Sequence, residues 1–354
     1  MRFAPLLLPL LLAGCVPPEL AVVDSLDLGA TPAGPLVQAR DGGFSAGWND
    51  RSVWLFGDTV LSAPAADGVT WRDSHASWTD QLSVDPATGL LGLTETVDAA
   101  GAPHELFPRT AAEIAADTPE SRIAIWPGPL VPDPRRERAL TFWWSVDSTP
   151  AGFTGRGMGV AVWTDPDGVP DRPVIDADAP DPTLLFSAET LTPANAAALD
   201  GNWLYAFACP GAEARCRLGR VHADDVLVPS AWQWYRGLGD WSYDPAHGAP
   251  LFEGAERMSL HRSPALQRWV LVYSRPQSNV IVARTADAPE GPWSDEVELV
   301  RTVAPVGTAF TSSGLAHPEL ADGPVEYLSY VRPTGTWTSE VRLVRIEWEM
   351  ATAE

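Results

Sequence analysis

Val53-Trp54-Leu55-Phe56 is a run of four apolar residues, two of them aromatic, that stops at Gly57-Asp58-Thr59. A short apolar run rich in aromatic and β-branched residues and closed by a turn residue reads as a strand. The phrase returns as Leu140-Thr141-Phe142-Trp143-Trp144, Trp203-Leu204-Tyr205-Ala206-Phe207, Trp269-Val270-Leu271-Val272-Tyr273 and Glu326-Tyr327-Leu328-Ser329-Tyr330. After a longer first interval the repeats fall about 60 residues apart, near the period of propeller blades with loop insertions. Later units share a second phrase. Leu218-Gly219-Arg220-Val221 leads to Ser230-Ala231-Trp232, Val282-Ala283-Arg284-Thr285 to Gly291-Pro292-Trp293, and Val341-Arg342-Leu343-Val344-Arg345 to Trp348. A strand pair followed by an outer strand ending in tryptophan, repeated over five units, predicts an all-β fold, a five-bladed β-propeller spanning 34–354. A β-sandwich with insertions is the competing architecture, but it does not predict the repeat. The 34 prolines and 29 glycines are spread along the chain, and only Thr110 to Ala116 and Pro193 to Leu199 carry helical apolar spacing.

The chain opens with Met1-Arg2, an apolar run from Phe3 to Leu12, and Leu12-Ala13-Gly14-Cys15. The run is too short to span a bilayer and has the form of a signal peptide over 1–14. A cysteine directly after Leu-Ala-Gly resembles the lipobox of bacterial lipoproteins. That resemblance implies that Cys15 is lipidated, that 15–33 is an anchored linker, and that the protein sits in the bacterial cell envelope, at an outer membrane or the cell surface, touching the membrane only through this anchor. The other two cysteines, Cys209 and Cys216, bracket a short loop, and in an oxidising compartment the pair is expected to form a disulfide. Neither Cys-x-x-Cys nor His-Glu-x-x-His occurs, and no metal or cofactor is expected. The aspartates at 165, 167, 171, 176, 178 and 181 fit no EF-hand spacing and read as a solvated loop between blades.

The net charge of −22 argues against nucleic acid as a partner, because a polyanion is repelled and no basic cluster offsets it. Sixteen tryptophans against ten phenylalanines is an unusual balance. Indole rings fill cores, but exposed ones stack on sugar faces and donate a hydrogen bond, so a polysaccharide or other glycan is the expected partner.

The candidate chemistry lies in the first unit. Asp41, in Arg40-Asp41-Gly42-Gly43-Phe44, and Asp58 flank a turn signal at Asn49-Asp50-Arg51. Folding the two strands together brings both aspartates to one end of a hairpin. Counted from Asp50, Asp58 falls opposite residue 42, so a shared face requires a bulge at Gly42-Gly43. Two carboxyl groups ~5 Å apart suit a retaining glycosidase, and ~6.5 Å or more an inverting one. Glu256, at the start of the inner strand of the fourth unit, is a candidate third acid or sugar ligand, and His317 and Glu319, ahead of the last unit's inner strand, are candidate sugar-binding residues in the same funnel; Arg109 and Trp126 are noted as sugar contacts outside the candidate set. Gly43-Phe44-Ser45-Ala46-Gly47 matches the Gly-x-Ser-x-Gly nucleophile elbow but lacks the strand-to-helix context that chemistry needs.

Asp41-Gly42, Trp54-Leu55-Phe56-Gly57-Asp58-Thr59, Ala231-Trp232, Gly291-Pro292-Trp293 and His317-Pro318-Glu319-Leu320 together resemble a bacterial family of five-bladed propellers, long described only as a domain of unknown function, that includes endo-D-arabinofuranases. The likeness runs from about Leu36 to the C-terminus. It implies a glycoside hydrolase in which Asp41 and Asp58 are nucleophile and acid/base, with arabinofuranosyl polysaccharide as substrate. Ser74, in Trp71-Arg72-Asp73-Ser74, stands where relatives have asparagine. The alternative is a non-catalytic propeller that binds a glycan or a protein on the same face.

Overall fold

The computed structural model describes residues 19–85, 91–211 and 214–351. They form five sheets, the blades of a β-propeller. Blade I runs from Val37–Trp48 through Arg51–Leu61 and His75–Thr79 to Thr94–Glu95, and blade II from Arg122–Asp133 through Arg138–Thr149 and Gly152–Trp163 to Phe186–Ser187. Blade III contains Ala196–Asp200, Trp203–Ala208, Arg215–His222, Gln233–Gly237 and Asp240–Ser242. Blade IV contains Met258–Ser263, Arg268–Ser274, Val280–Ala286 and Val297–Arg301. Blade V contains Ser312–Ala316, Val325–Gly335 and Thr338–Ala351, and its outer strand is Glu19–Ala30, paired antiparallel with Thr338–Ala351.

Each repeated aromatic phrase is the second strand of a blade, and packing explains why it is apolar throughout. Successive side chains of a strand point to opposite faces, and each blade is covered on both. Val53 and Leu55 pack with Ile123, Ile125 and Trp143 of blade II, whereas Trp54 and Phe56 pack with Tyr327 and Leu343 of blade V. The same holds between blades II and III, III and IV, and IV and V, so the core is five wedges between blades.

Several expectations are corrected. The propeller begins at residue 19, not 34: the expected linker supplies the strand Glu19–Ala30, where Leu20 is buried and Asp27 pairs with Arg342 at 2.7 Å, covering an edge that would otherwise be left open. The repeated tryptophans do not end outer strands. Trp232 and Trp293 precede them, and Trp348 lies within the third strand of blade V. Of the two helical segments, Ala111–Ala115 is one turn with a Thr110/Glu113 capping box, while 196–200 is a strand. The aspartate-rich loop lies within blade II, between its third and fourth strands, rather than between blades. The predicted signal peptide and Cys15 lie outside the described residues. A disulfide joins Cys209 and Cys216. Among the described residues no helix is long and apolar enough to cross a membrane, and no three His, Cys, Asp or Glu side chains are grouped to hold a metal ion.

Candidate active site at the channel mouth

The first strand of each blade faces the central channel, and the starts of these strands meet at one mouth. There Asp41 of blade I reaches Arg257 and Ser313 of blades IV and V, and Asn195 Nδ2, before blade III, donates to the Glu256 carbonyl at 2.8 Å.

The blade I hairpin closes with Trp48 opposite Arg51 around a two-residue loop, Asn49-Asp50, whose φ angles of 51° and 58° suit a type I′ turn. The turn centre is therefore half a residue earlier than a count from Asp50 gives, and Asp41 falls across from Asp58 directly. The ladder still bulges. Arg40 pairs with Thr59, Gly42 with Phe56 and Phe44 with Leu55, so Asp41 on one strand and Gly57-Asp58 on the other sit in the same break. Glycine is required there: Gly42 and Gly43 have φ of +96° and +118°, and a Cβ on Gly42 would lie 3.2 Å from the Gly57 nitrogen.

The two carboxyls are placed in opposite electrostatic surroundings. Burial would raise the affinity of Asp41 for a proton, but Arg257, which pairs with Oδ2, outweighs it. Gly42 N–H (2.8 Å) and Ser313 Oγ (3.2 Å) add donors to Oδ1, and the group is held below the ordinary carboxylate value. Asp58 is pushed up to about 6, first by burial and then by the charge of Asp73, with a smaller push from Asp41. Trp126 Nε1–H (2.9 Å) and Trp71 Nε1–H (3.1 Å) both donate to Oδ1 of Asp58 and moderate the rise. Oδ2 takes no hydrogen bond among the described residues.

Two more acids stand behind Asp58. Asp73, 3% exposed, pairs with Arg122 and is raised by burial despite that cation. Glu105 is pushed up to about 8 by burial and by Asp73, while Ser74 donates to its Oε1 from backbone N (2.7 Å) and Oγ (2.9 Å). Ser74 is fully buried, so it positions Glu105 and is not a sugar contact. The rim is aromatic. Trp337, 67% exposed, meets Trp71 edge-on, and Phe153, 57% exposed, meets Trp126. Beside Arg257, a hollow of about 370 Å³ is lined by Glu256, Arg275, Phe310 and Ser313.

Glu256 is thus at the mouth, exposed, where the sequence reading puts it. Trp126 contacts Asp58 directly, and Arg109 is engaged by Asp117 at 2.7 Å. His317 and Glu319 are elsewhere. They follow the inner strand Ser312–Ala316 instead of preceding it, so they lie toward the other end of the channel, packed between blades V and I: Glu319 Oε1 accepts from Ser45 Oγ (2.5 Å) and Ser52 Oγ (2.6 Å), and the buried His317 ring stacks on Trp54 at 3.9 Å. They do not face the funnel that holds Asp41 and Asp58. The reading missed Arg257 as the partner of Asp41, and it missed Asp73 and Glu105. Asp73 and Glu105 each carry a faint signal, an acid set among Trp71-Arg72 or against the apolar Leu106-Phe107.

Solved structures share this fold. A putative hydrolase from Bacteroides ovatus aligns with TM-score 0.60 at 14% identity, over 89% of this chain and 87% of its own. A protein of unknown function from Dyadobacter fermentans aligns with TM-score 0.53 at 13% identity, over 93% and 99%. Zg3597, a family 117 glycoside hydrolase from the marine bacterium Zobellia galactanivorans, aligns with TM-score 0.52 at 11% identity, over 94% and 91%. No curated protein sequence matches the chain. The sequence profile described as "Domain of unknown function (DUF4185)" matches residues 163–350, more than half of the 354 residues, from the end of the third strand of blade II through blade V. The chain is a member of the DUF4185 family.

Proposed function

We propose that the channel mouth hydrolyses glycosidic bonds, with Asp58 as general acid and Asp41 as the ionised partner. The observation that carries this reading is the pair itself: two aspartates in one bulge, one held ionised by Arg257 and the other raised to about 6. Acid and base roles are assigned where environments push two like groups apart. Asp58 Oδ2–H gives its proton to the leaving glycosidic oxygen as the anomeric C–O bond breaks. Asp41 either bonds to the anomeric carbon or takes a proton from the attacking water. The fold shared with a glycoside hydrolase and the exposed Trp337 and Phe153 beside Asp58 support a glycan substrate. Arabinofuranosyl polysaccharide, an anchor at Cys15 and a cell-envelope location complete the proposal.

The experiment is reducing-sugar release from a panel of polysaccharides by wild type, Asp41→Asn and Asp58→Asn. Wild type should release sugar and each variant should not. NMR of the first-formed product then gives the role of Asp41, because retention requires it as nucleophile and inversion as base. One observation favours a second reading: both Asp41 oxygens are already engaged, as in a structural carboxylate. A non-catalytic glycan-binding propeller would bind a member of the panel and cleave none.

A further inference from the structure

A second cavity, of about 500 Å³, lies between blades I and II, away from the channel. Its volume falls in the range of small-ligand sites. Val53, Trp78, Leu106 and Trp163 give it apolar walls. The charged residues on its rim are held in ion pairs: Arg51 with Asp167 at 2.6 Å, and Arg72 with Asp67 at 3.0 Å and Asp98 at 3.5 Å. The three aspartates outnumber the two arginines, so the rim offers nothing to an anionic ligand. Three neutral-capable polar groups remain unused. The Thr96 hydroxyl, the exposed His104 ring and Glu105 Oε2 take no side-chain hydrogen bond among the described residues, and all three residues line the cavity. A purely apolar occupant would strip water from these groups and leave each unpaired, at about 1–3 kcal/mol apiece. The complement of apolar walls, paired charges with a small negative excess and free hydrogen-bonding groups is a molecule without anionic groups that has hydroxyls at its edge and C–H faces, which is a neutral sugar.

We propose that the cleft between blades I and II is a second glycan-binding site, taking one or two neutral sugar units at Thr96, His104 and Glu105. It lies behind the catalytic mouth, since Ser74 holds Glu105 and adjoins Asp73. A glycan held there is kept next to the enzyme without occupying Asp41 and Asp58.

The test uses the full chain carrying Asp58→Asn, so that sugar is not consumed, titrated calorimetrically with short oligosaccharides of arabinose, xylose and agarose. Two binding events are expected for one of these probes. Adding Ala66→Trp, which places a ring into the cleft from its exposed rim, should leave one event, and Thr96→Ala with His104→Ala should weaken the second event about tenfold, the equivalent of ~1.4 kcal/mol. Equal stoichiometry and affinity in parent and cleft variants overturns the proposal. So does binding of the uncharged apolar dye Nile red, lost in Ala66→Trp, with no sugar bound there. Hydrolysis by wild type with a single binding event sinks this inference alone. A cleft that binds sugar in a chain that cleaves none sinks the catalytic reading alone.

Discussion

Acids and hydroxyls gather toward both ends of the channel strands, and their surroundings differ. At the mouth, Asp41 and Asp58 sit in a break of the ladder, Asp41 with a side chain 37% exposed, and Asp58 keeps one oxygen free. Toward the other end Ser45 Oγ lies 2.6 Å from His317 Nδ1 and donates to Glu319 at 2.5 Å, a grouping of serine, histidine and acid that on paper suggests a nucleophile. Both partners converge on Ser45, however, and Glu319 does not orient His317, which is the arrangement a catalytic triad requires. Burial drives His317 down to about 3, so the ring stays neutral, and pushes Glu319 up. The same residue types form a site open at the mouth and, around the fully buried His317, a polar cluster packed between two blades.

The largest expected effect tests that contrast. Asp58→Asn should lower hydrolysis by about a hundred- to ten-thousand-fold, the ~10²–10⁴ that general-acid catalysis supplies. Its melting temperature should stay near wild type, because both indole N–H groups can still donate to an amide oxygen. Glu319→Ala should do the reverse. It leaves the buried Ser52 hydroxyl without its acceptor and the half-buried Ser45 hydroxyl with His317 alone, costing about 1–3 kcal/mol in urea unfolding, with turnover of the folded fraction unchanged. Loss of turnover in a stable Glu319→Ala protein would erase the distinction between the two ends.

Next comes the pH profile. A general acid must hold its proton, so activity should fall as pH rises through about 6, the value to which Asp58 is pushed. Trp126→Phe removes a donor that favours the carboxylate. The alkaline limb should therefore move upward, by less than about one unit, against a shift of 1.36 kcal/mol per unit. An unmoved limb in an active variant would take the proton-donor role away from Asp58.

The fold was legible where the physics is local. The aromatic runs marked the second strand of every blade because two covered faces demand unbroken apolar sequence, and the hairpin with its aspartate pair followed from one turn. Closure was not legible. Glu19–Ala30 alternates too weakly to announce a strand, and its partner lies at the other end of the chain. The site was half legible for the same reason. Asp41 and Asp58 are neighbours in a hairpin, but Arg257 arrives from 216 positions away and Ser313 from 272. His317 and Glu319 were misplaced because the phrase His-Pro-Glu follows an inner strand, Ser312–Ala316, whose small residues gave no strand signal.

The smallest effect separates the acids behind the mouth. Glu105 is raised from 4.5 to about 8, so the folded protein keeps a proton that the unfolded chain releases, and stability should decline as pH climbs from about 4.5 to 8. Asp58 contributes a decline of the same sign, but one that is complete once pH passes about 6. Asp41, held below its ordinary value, acts the other way: its contribution is present above the ordinary 3.8 and is lost as pH falls below that. The interval between 6 and 8 therefore belongs to Glu105 rather than to Asp41 or Asp58. Glu105→Gln has no proton to release there and keeps the hydrogen bonds from Ser74, so its melting temperature should fall less than that of wild type across this interval. Parallel curves would mean that Glu105 is already ionised in the folded protein, and the acids behind Asp58 would then have to be held by Arg122 and Arg72 rather than by a retained proton.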